Sequence, residues 1–230
     1  MTSRYALADV AALMGEPTRA AMLLALMGGQ ALPASELARI AKLSAAATSL
    51  HLSKLVRGGL LAVRREGRHR YYRLAHAEVA QTLEGLGLLA SARSPLPALS
   101  PERAAMRAAR SCYDHLAGVL AVALTDRLES LQVIVALDDY AFEVTEQGQR
   151  WFASQLQLDL STLPRGRKFA RRCLDWTERR PHIAGALGAA ILERCLDQRW
   201  LTRKRGSRAL NMTARGERSL LALGVRVPPP

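Results

Sequence analysis

Apolar residues recur three and four positions apart in several N-terminal stretches, which is the spacing of amphipathic helices. In the first stretch, Leu7, Val10, Ala11 and Met14 share one face. Glycine, serine or proline marks most of the ends. The pattern predicts five helices, over residues 4–14, 17–27, 33–41, 45–57 and 77–89. Residues 60–74 instead carry strand-forming residues on both sides of Gly67 and predict a short β-ribbon.

The fourth predicted helix is small and polar between its leucines. Ser44 is a good N-cap, and Leu50, Leu52, Leu55 and Leu60 are expected to hold the helix on a core. The other side chains are short enough for the helix to enter a DNA major groove. The residues expected to face DNA are Ser44, Thr48, Ser49, His51 and Ser53, and those expected to hold phosphates are Lys54 and Arg57.

The ribbon concentrates positive charge. Arg64 and Arg65 precede Gly67, whereas Arg68 and Arg70 follow it, and all four are expected to reach DNA phosphates. The whole chain of 230 residues has 33 Lys and Arg against 20 Asp and Glu, a formal net charge of +13. We therefore expect a polyanionic partner, with double-stranded DNA ahead of a membrane.

Helices followed by a β-ribbon and a further helix give the order of a winged helix-turn-helix. The motif Gly15-Glu16-Pro17-Thr18-Arg19, the segment from Ser44 to Gly59 and the wing up to Leu74 resemble the ArsR/SmtB family of transcriptional regulators. This resemblance covers roughly residues 4 to 90. It implies a homodimer paired through the first helix and the helix from Val79 to Leu89.

The metal sites usual in that family lack their ligands in this chain. The third helix contains no cysteine, and the last helix of the domain offers only Glu78 and Glu84, with His76 at its start. A sensing site, if the protein has one, is therefore expected elsewhere.

The second half of the chain contains a repeated motif. Residues 91–100 include two prolines and predict a linker between domain 1–90, for DNA binding and dimerisation, and domain 101–230. His115-Leu116-Ala117-Gly118 recurs as His182-Ile183-Ala184-Gly185, and each is expected to start a helix. The predicted fold class is mainly α with short β-ribbons: an N-terminal winged helix-turn-helix and a C-terminal α+β domain built from an internal repeat.

The repeat also duplicates a cysteine that is followed two residues later by an aspartate. Cys112 precedes Asp114 and His115, and on a helix Cys112 and His115 would share a face. Cys173 precedes Asp175, and His182 lies nine residues beyond Cys173. Two thiolates and two imidazoles brought together would suit Zn(II) or another thiophilic metal or metalloid, with the aspartates as ligands or as groups that orient them.

A structural interpretation of the same residues stays open. Asp114 and Asp175 also fit a polar network in which they bond to the backbone or to Arg179. Cys195 lies among Ile191, Leu192 and Leu196 and is expected in a core. The sequence does not identify the cofactor.

Several function classes are excluded by the absence of their motifs. No Gly-rich phosphate loop, Gly-x-Ser-x-Gly elbow or His-Glu-x-x-His motif occurs, and no enzyme is predicted. The apolar runs are too short to span a membrane and no secretory cleavage pattern is present, which predicts a cytoplasmic protein.

Two functions fit these observations. One is a dimeric repressor whose operator binding is controlled by a metal, metalloid or thiol-reactive effector in the C-terminal domain. The alternative is a constitutive DNA-binding or architectural protein whose C-terminal domain serves only assembly.

Overall fold

The chain divides into two compact units, Met1–Leu83 and Glu84–Pro230. The computed structural model describes residues 4–67, 69–93, 100–164, 169–204 and 206–227. The predicted linker, 91–100, falls mainly on residues 94–99, which lie outside the described residues.

The first unit is a set of helices with a three-stranded antiparallel sheet of order β1-β3-β2. Strands β2 and β3 form the predicted ribbon, and α3 with α4 forms the helix-turn-helix. The last helix, α5, begins in this unit and continues into the second. The elements are α1 (Arg4–Gly15), α2 (Pro17–Leu26), β1 (Leu32–Pro33), α3 (Ala34–Ala41), α4 (Ala45–Arg57), β2 (Leu61–Glu66), β3 (His69–Leu74) and α5 (Ala77–Arg93).

The core of the first unit lies between α2, α3, α4 and the sheet. Its fully buried side chains include Leu23, Leu37, Leu55 and Leu74, each contributing about 1.5–3 kcal/mol through removal from water. Leu50 differs from the prediction that it would help to hold α4 on this core, because it is 67% exposed.

The motif around Glu16 ties three helices of the first unit together. The Glu16 carboxylate caps α2 by accepting from the N–H groups of Thr18 and Arg19, both at 2.9 Å. The Arg19 guanidinium donates back to the Leu13 and Ala12 carbonyls of α1, both at 2.8 Å. Glu16 Oε2 also lies 3.2 Å from His51 Nδ1 of α4. The motif therefore closes the junction of α1 with α2 and also contacts α4.

The second unit consists of helices alternating with antiparallel two-stranded hairpins. Its elements are α6 (Pro101–Ala108), β4 (Arg110–Cys112), β5 (His115–Ala117), α7 (Val119–Ser130), β6 (Ile134–Ala136), β7 (Phe142–Val144), α8 (Glu146–Trp151), β8 (Arg171–Leu174), β9 (Pro181–Ala184), α9 (Gly185–Asp197), β10 (Leu201–Arg203), β11 (Leu210–Met212) and α10 (Ala214–Ala222), with a π-helical turn at Phe152–Leu156 and a 3-10 turn at Leu160–Thr162 between α8 and β8.

The order hairpin, helix, hairpin, helix occurs twice in this unit, from β4 to α8 and from β8 to α10. The helices α7 and α9 pack their apolar residues, among them Leu120, Leu128 and Leu187, into one core. Cys195 belongs to that core, as expected from the sequence. The order is compatible with the predicted internal repeat, which stays a prediction.

The residues that were expected to start helices lie in strands instead. His115 is in β5 and His182 is in β9, and each helix begins only after or at the following glycine. Gly118 has a φ of 90°, and a Cβ there would lie 2.4 Å from the Arg107 carbonyl oxygen. A glycine is needed at this point because the chain turns sharply from strand into helix against other backbone. The prediction that Cys112 and His115 share a helix face is therefore wrong.

None of the described helices is both long and apolar enough to cross a membrane.

We predict that Glu16→Ala destabilises the first unit by about 1 kcal/mol through loss of the α2 cap. Burial raises the pKa of Glu16, but the N–H groups of Thr18 and Arg19 outweigh it and lower the pKa from 4.5 to about 2. The stabilisation is thus complete above pH 4.5 and is lost as the pH falls towards 2. Urea unfolding of both proteins across this pH range measures the difference.

The matched control is Glu36→Ala, which removes a carboxylate that only pairs with the exposed Arg39. It is expected to change the free energy of unfolding by no more than about 0.5 kcal/mol. Equal effects of the two substitutions would contradict the capping role.

Candidate functional sites

The exposed face of α4 carries short side chains and ends in positive charge. Ser44 caps the helix, since its hydroxyl accepts from the Ala47 N–H at 3.3 Å. The exposed members of the predicted DNA-facing set on this helix are Ser44, Ser49, Ser53, Lys54 and Arg57. Leu50 lies among them and was not predicted to face DNA. Its spacing from Ser49 and Ser53 could have shown that it falls on the outward face.

Two predicted DNA-facing residues lie elsewhere on α4. Thr48 is only 1% exposed, and its hydroxyl donates to the Ser44 carbonyl at 2.8 Å. The prediction that Thr48 faces DNA is therefore corrected: its hydroxyl closes the first turn of the helix. His51 is half-buried beside Glu16, so only part of its ring reaches the surface.

The wing presents exposed arginines on both strands. Arg65 and Arg70 are directly opposite each other in the β2–β3 register, and both are exposed. Like charges opposite each other destabilise a ribbon, and a polyanion relieves that repulsion. Arg64 is also exposed and pairs with Glu66. Arg68 lies outside the described residues.

The second candidate site lies in the second unit, on two hairpins that each pair a cysteine with a histidine. Cys112 is opposite His115 in the β4–β5 register, and Cys173 is opposite His182 in the β8–β9 register. Directly opposite residues in an antiparallel pair project to the same face. One ligand atom from each of the four residues lies within 4.8 Å of the others, and all four side chains are buried. We call these four residues the Cys/His cluster.

Each histidine of the cluster has an aspartate at its Nδ1. Asp114 Oδ1 lies 3.1 Å from Nδ1 of His115, and Asp175 Oδ2 lies 3.6 Å from Nδ1 of His182. Nε2 of both histidines is buried and makes no hydrogen bond within the described residues, and the same holds for Nδ1 of His182. The aspartates thus lie beside the cluster, and both Nε2 atoms are left for another partner.

Asp175 is the centre of a buried polar network. Its Oδ2 accepts from Arg110 at 2.9 Å and from the Gly118 N–H at 2.7 Å. Its Oδ1 accepts from the Thr177 N–H at 2.9 Å and from the Thr177 hydroxyl at 2.6 Å. Burial raises the pKa of Asp175, but Arg110 and these hydrogen bonds outweigh it and hold the pKa well below its usual range. The structural network considered from the sequence is therefore present, with Arg110 where Arg179 was considered.

No local pattern predicted Arg110 as the partner of Asp175, because the two residues are 65 positions apart. The glycine that follows each His-x-Ala motif was the available signal. Gly118 and Gly185 both have positive φ, 90° and 77°, which marks a turn rather than a continuing helix.

A further buried charge lies next to this network. Glu84, on the part of α5 that belongs to the second unit, is 4% exposed. Its Oε1 lies 3.2 Å from Arg208, and its Oε2 lies 3.9 Å from Arg110. Two arginines thus balance two carboxylates in the interior of the unit.

Burial and neighbouring groups together set the protonation of the Cys/His cluster. Burial lowers the pKa of His115, but Cys112 and Asp114 outweigh it and raise that pKa to about 9. A hydrogen bond with Cys173 and burial both raise the pKa of the Cys112 thiol, and burial lowers the pKa of His182. Cys112 is consequently a neutral thiol at pH 7 when no cation is nearby. A bound cation changes this, because a thiol that coordinates a metal is deprotonated outright.

The family of the chain follows from comparison with known proteins. Residues 14–64 match the family model described as a helix-turn-helix domain. Over 213 residues, the chain is 39% identical to the uncharacterized HTH-type transcriptional regulator YdfF of Bacillus subtilis (strain 168). The matched region makes up 92% of this chain and 93% of the relative. The chain belongs to the HTH-type transcriptional regulators. It is a DNA-binding transcriptional regulator, and the resemblance noted in the sequence is confirmed at this level.

Solved structures resemble the N-terminal part of the regulator. HlyU from Vibrio cholerae N16961 is 30% identical and covers 37% of this chain and 91% of its own, with a TM-score of 0.35. The homodimeric winged helix-turn-helix DNA-binding domain Mb0332 from Mycobacterium bovis, a possible ArsR-family regulator, is 25% identical and covers 40% of this chain and 88% of its own, also with a TM-score of 0.35. The family assignment rests on the full-length relative.

The two aspartates of the regulator's Cys/His region allow a matched test of the buried network. Asp175→Asn removes the carboxylate that is hydrogen-bonded to the fully buried Arg110 and leaves only the more distant Glu84 beside it. We predict a loss of about 3–5 kcal/mol in the unfolding free energy of the second unit. Asp114→Asn alters a half-exposed side chain and is expected to cost no more than about 0.5 kcal/mol. Thermal and urea unfolding of both variants measure this, and similar stabilities would contradict the central role of Asp175.

Proposed function

We propose that the regulator is a dimeric repressor that reads a two-fold operator with α4 and the wing, and that an effector bound at the Cys/His cluster controls its DNA binding. The observation that carries the control is the convergence of two thiols and two imidazoles in the second unit. The DNA contact is supported by a different part of the chain, the exposed face of α4 and the wing.

The proposed DNA contacts divide into two kinds. Ser49, Leu50 and Ser53 lie on the exposed face of α4 and are placed to touch base edges, with Leu50 suited to a thymine methyl group. Lys54 and Arg57, together with Arg64, Arg65 and Arg70 of the wing, hold phosphates. Ser44 lies at the start of the helix, where its exposed hydroxyl can reach the backbone of DNA, and His51 contributes the exposed part of its ring.

We predict that Arg70→Ala weakens binding to all duplex sequences and lowers the slope of log affinity against log salt by about 0.9. Leu50→Ala should instead change the preference at one base pair by about 1–3 kcal/mol, with the salt slope unchanged. Fluorescence anisotropy with operator variants at several salt concentrations measures both quantities. The controls are Arg150→Ala and Leu24→Ala, which remove exposed side chains away from α4 and the wing. An unchanged slope for Arg70→Ala would contradict the wing contact.

The proposed dimer is supported by exposed apolar residues on the two helices that the sequence indicated. Leu7 of α1 is 67% exposed and Val10 is 37% exposed, whereas Leu86 and Leu89 of α5 are 46% and 67% exposed. A second copy of the chain would cover these residues in an isologous interface, and two recognition helices would then be spaced to read two half-sites.

We predict a dimer at micromolar concentration by sedimentation velocity, and a shift towards monomer for Leu7→Glu because a carboxylate would be buried in the interface. The matched control is Leu137→Glu at a leucine of the second unit that is 63% exposed. A monomeric parent protein, or equal effects of the two substitutions, would contradict this interface.

Effector control predicts a change in operator affinity of about 5–150-fold when the cluster is occupied. Titration of DNA binding against Zn(II), As(III), Hg(II) and thiol reagents measures it. The Cys112→Ser/Cys173→Ser protein should lose the response, and Cys195→Ala should keep it, since Cys195 lies in the core around α9. A normal response of the double variant to every effector of the parent would refute control through the cluster.

The burial of the cluster favours a second candidate function. All four side chains are buried, as expected of a permanent structural site. In that case the second unit serves assembly and DNA binding is constitutive. The same titration separates the two candidates, because a constitutive regulator binds its operator equally with and without every effector of the panel.

A further inference from the structure

We propose that Cys112, His115, Cys173 and His182 bind one Zn(II) ion in a closed tetrahedral site, with Asp114 as the group that orients the imidazole of His115. This inference rests on the proposed function for the use of the ion in control, but the binding of the ion is a separate property of the second unit.

The donor set and its spacing match this ion. Two sulfurs and two nitrogens form a preferred set for structural Zn(II), with bonds of about 2.3 Å to sulfur and about 2.0–2.1 Å to nitrogen. A tetrahedron with these bonds separates its ligand atoms by about 3.3–3.8 Å. The four ligand atoms of the cluster lie within 4.8 Å of one another, so side-chain movements of about 1 Å or less are enough to close the shell around an ion.

The buried imidazoles supply a second, independent observation. Nε2 of His115 and both ring nitrogens of His182 make no hydrogen bond within the described residues. An unsatisfied buried polar atom costs about 1–3 kcal/mol, and most such atoms in folded proteins have a partner. In a wholly structural polar network these nitrogens would be bonded. A metal ion at the centre of the cluster gives each Nε2 the partner that it lacks.

An aspartate lies beside each imidazole of the cluster, and one of the two is within hydrogen-bond distance. Asp114 lies at Nδ1 of His115 and Asp175 at Nδ1 of His182, at 3.1 and 3.6 Å. A carboxylate at Nδ1 selects the tautomer that offers Nε2 and increases its basicity, as is common for zinc-bound histidine. Asp114 makes this contact with His115 within hydrogen-bond distance, whereas Asp175 lies near His182 without bonding it.

The site is also selective. An ion such as As(III) that requires mainly thiolates finds only two in the cluster, because Cys195 belongs to the apolar core around α9. Four protein ligands complete the tetrahedron, which leaves no position for water or substrate and is typical of sites that hold zinc without using it in catalysis.

Co(II) titration of the reduced full-length protein tests the proposal, since Co(II) reports tetrahedral sulfur and nitrogen coordination through its absorption. We expect one Co(II) per chain, with the visible absorption of a tetrahedral complex and a thiolate-to-cobalt charge-transfer band. Stoichiometric Zn(II) should abolish both. Cys112→Ser and Cys173→Ser should each reduce the charge-transfer band, whereas Cys195→Ala should leave the spectrum unchanged.

Asp114→Asn keeps all four ligands, and it alters a half-exposed side chain that the fold does not depend on. We expect this variant to keep the tetrahedral spectrum and to weaken Zn(II) affinity by about 10–100-fold. His76→Ala is its control, because His76 is exposed and pairs only locally with Glu78. Equal Zn(II) affinity in these two variants would overturn the orienting role.

The outcomes separate this proposal from the proposed function. Absence of a tetrahedral spectrum, or its persistence in the double cysteine variant, overturns the zinc site. A disulfide between Cys112 and Cys173 that changes operator affinity, in a protein that binds no Co(II), also overturns it and leaves effector control standing. A tetrahedral spectrum with unchanged operator affinity supports the zinc site and refutes effector control.

Discussion

Asp175 joins parts of the second unit that are far apart in the chain. One carboxylate oxygen accepts hydrogen bonds from the guanidinium of Arg110 and from the N–H of Gly118, just before α7. The other accepts from the N–H of Thr177, in the turn that follows β8. Removing a carboxylate from water is costly unless every lone pair finds a donor, and here the donors come from β4, from Gly118 and from the same loop. The cost of the buried charge therefore constrains where the β4–β5 hairpin lies relative to β8–β9. The spacing of the Cys/His cluster is a consequence of that constraint.

The first unit shows the same principle on a smaller scale. Glu16 satisfies N–H groups at the start of α2, and Arg19 satisfies carbonyls at the end of α1. Because these groups have no partner within their own helices, the motif closes both helix ends at once. The contact of Glu16 with His51 extends the arrangement to α4. α4 thus contacts a charged side chain at the junction of α1 with α2, in addition to packing through its leucines.

Sequence reasoning was most successful where the signal was local. Helix spacing, the Ser44 cap and the ribbon around Gly67 gave the winged helix-turn-helix, because each depends on residues a few positions apart. It failed for Thr48, whose hydroxyl is turned inward to donate to the Ser44 carbonyl, and for Leu50, whose apolar side chain is exposed. It also placed His115 in a helix, since a histidine and two apolar residues before a glycine fit either a strand or a helix start. Arg110 and Asp175 were beyond it, because no local pattern pairs residues across 65 positions.

The burial of the Cys/His cluster affects how fast an ion could enter or leave it. His182 is fully buried and the other three side chains are at most 8% exposed, so no ligand atom lies open to the solvent. An ion can enter or leave only while the structure around the cluster is locally open, and such local opening is governed by its own free energy. Exchange is then limited by the protein's motion rather than by diffusion of the ion. The occupancy of such a site would follow the ion concentration averaged over many opening events, and brief changes in that concentration would have little effect.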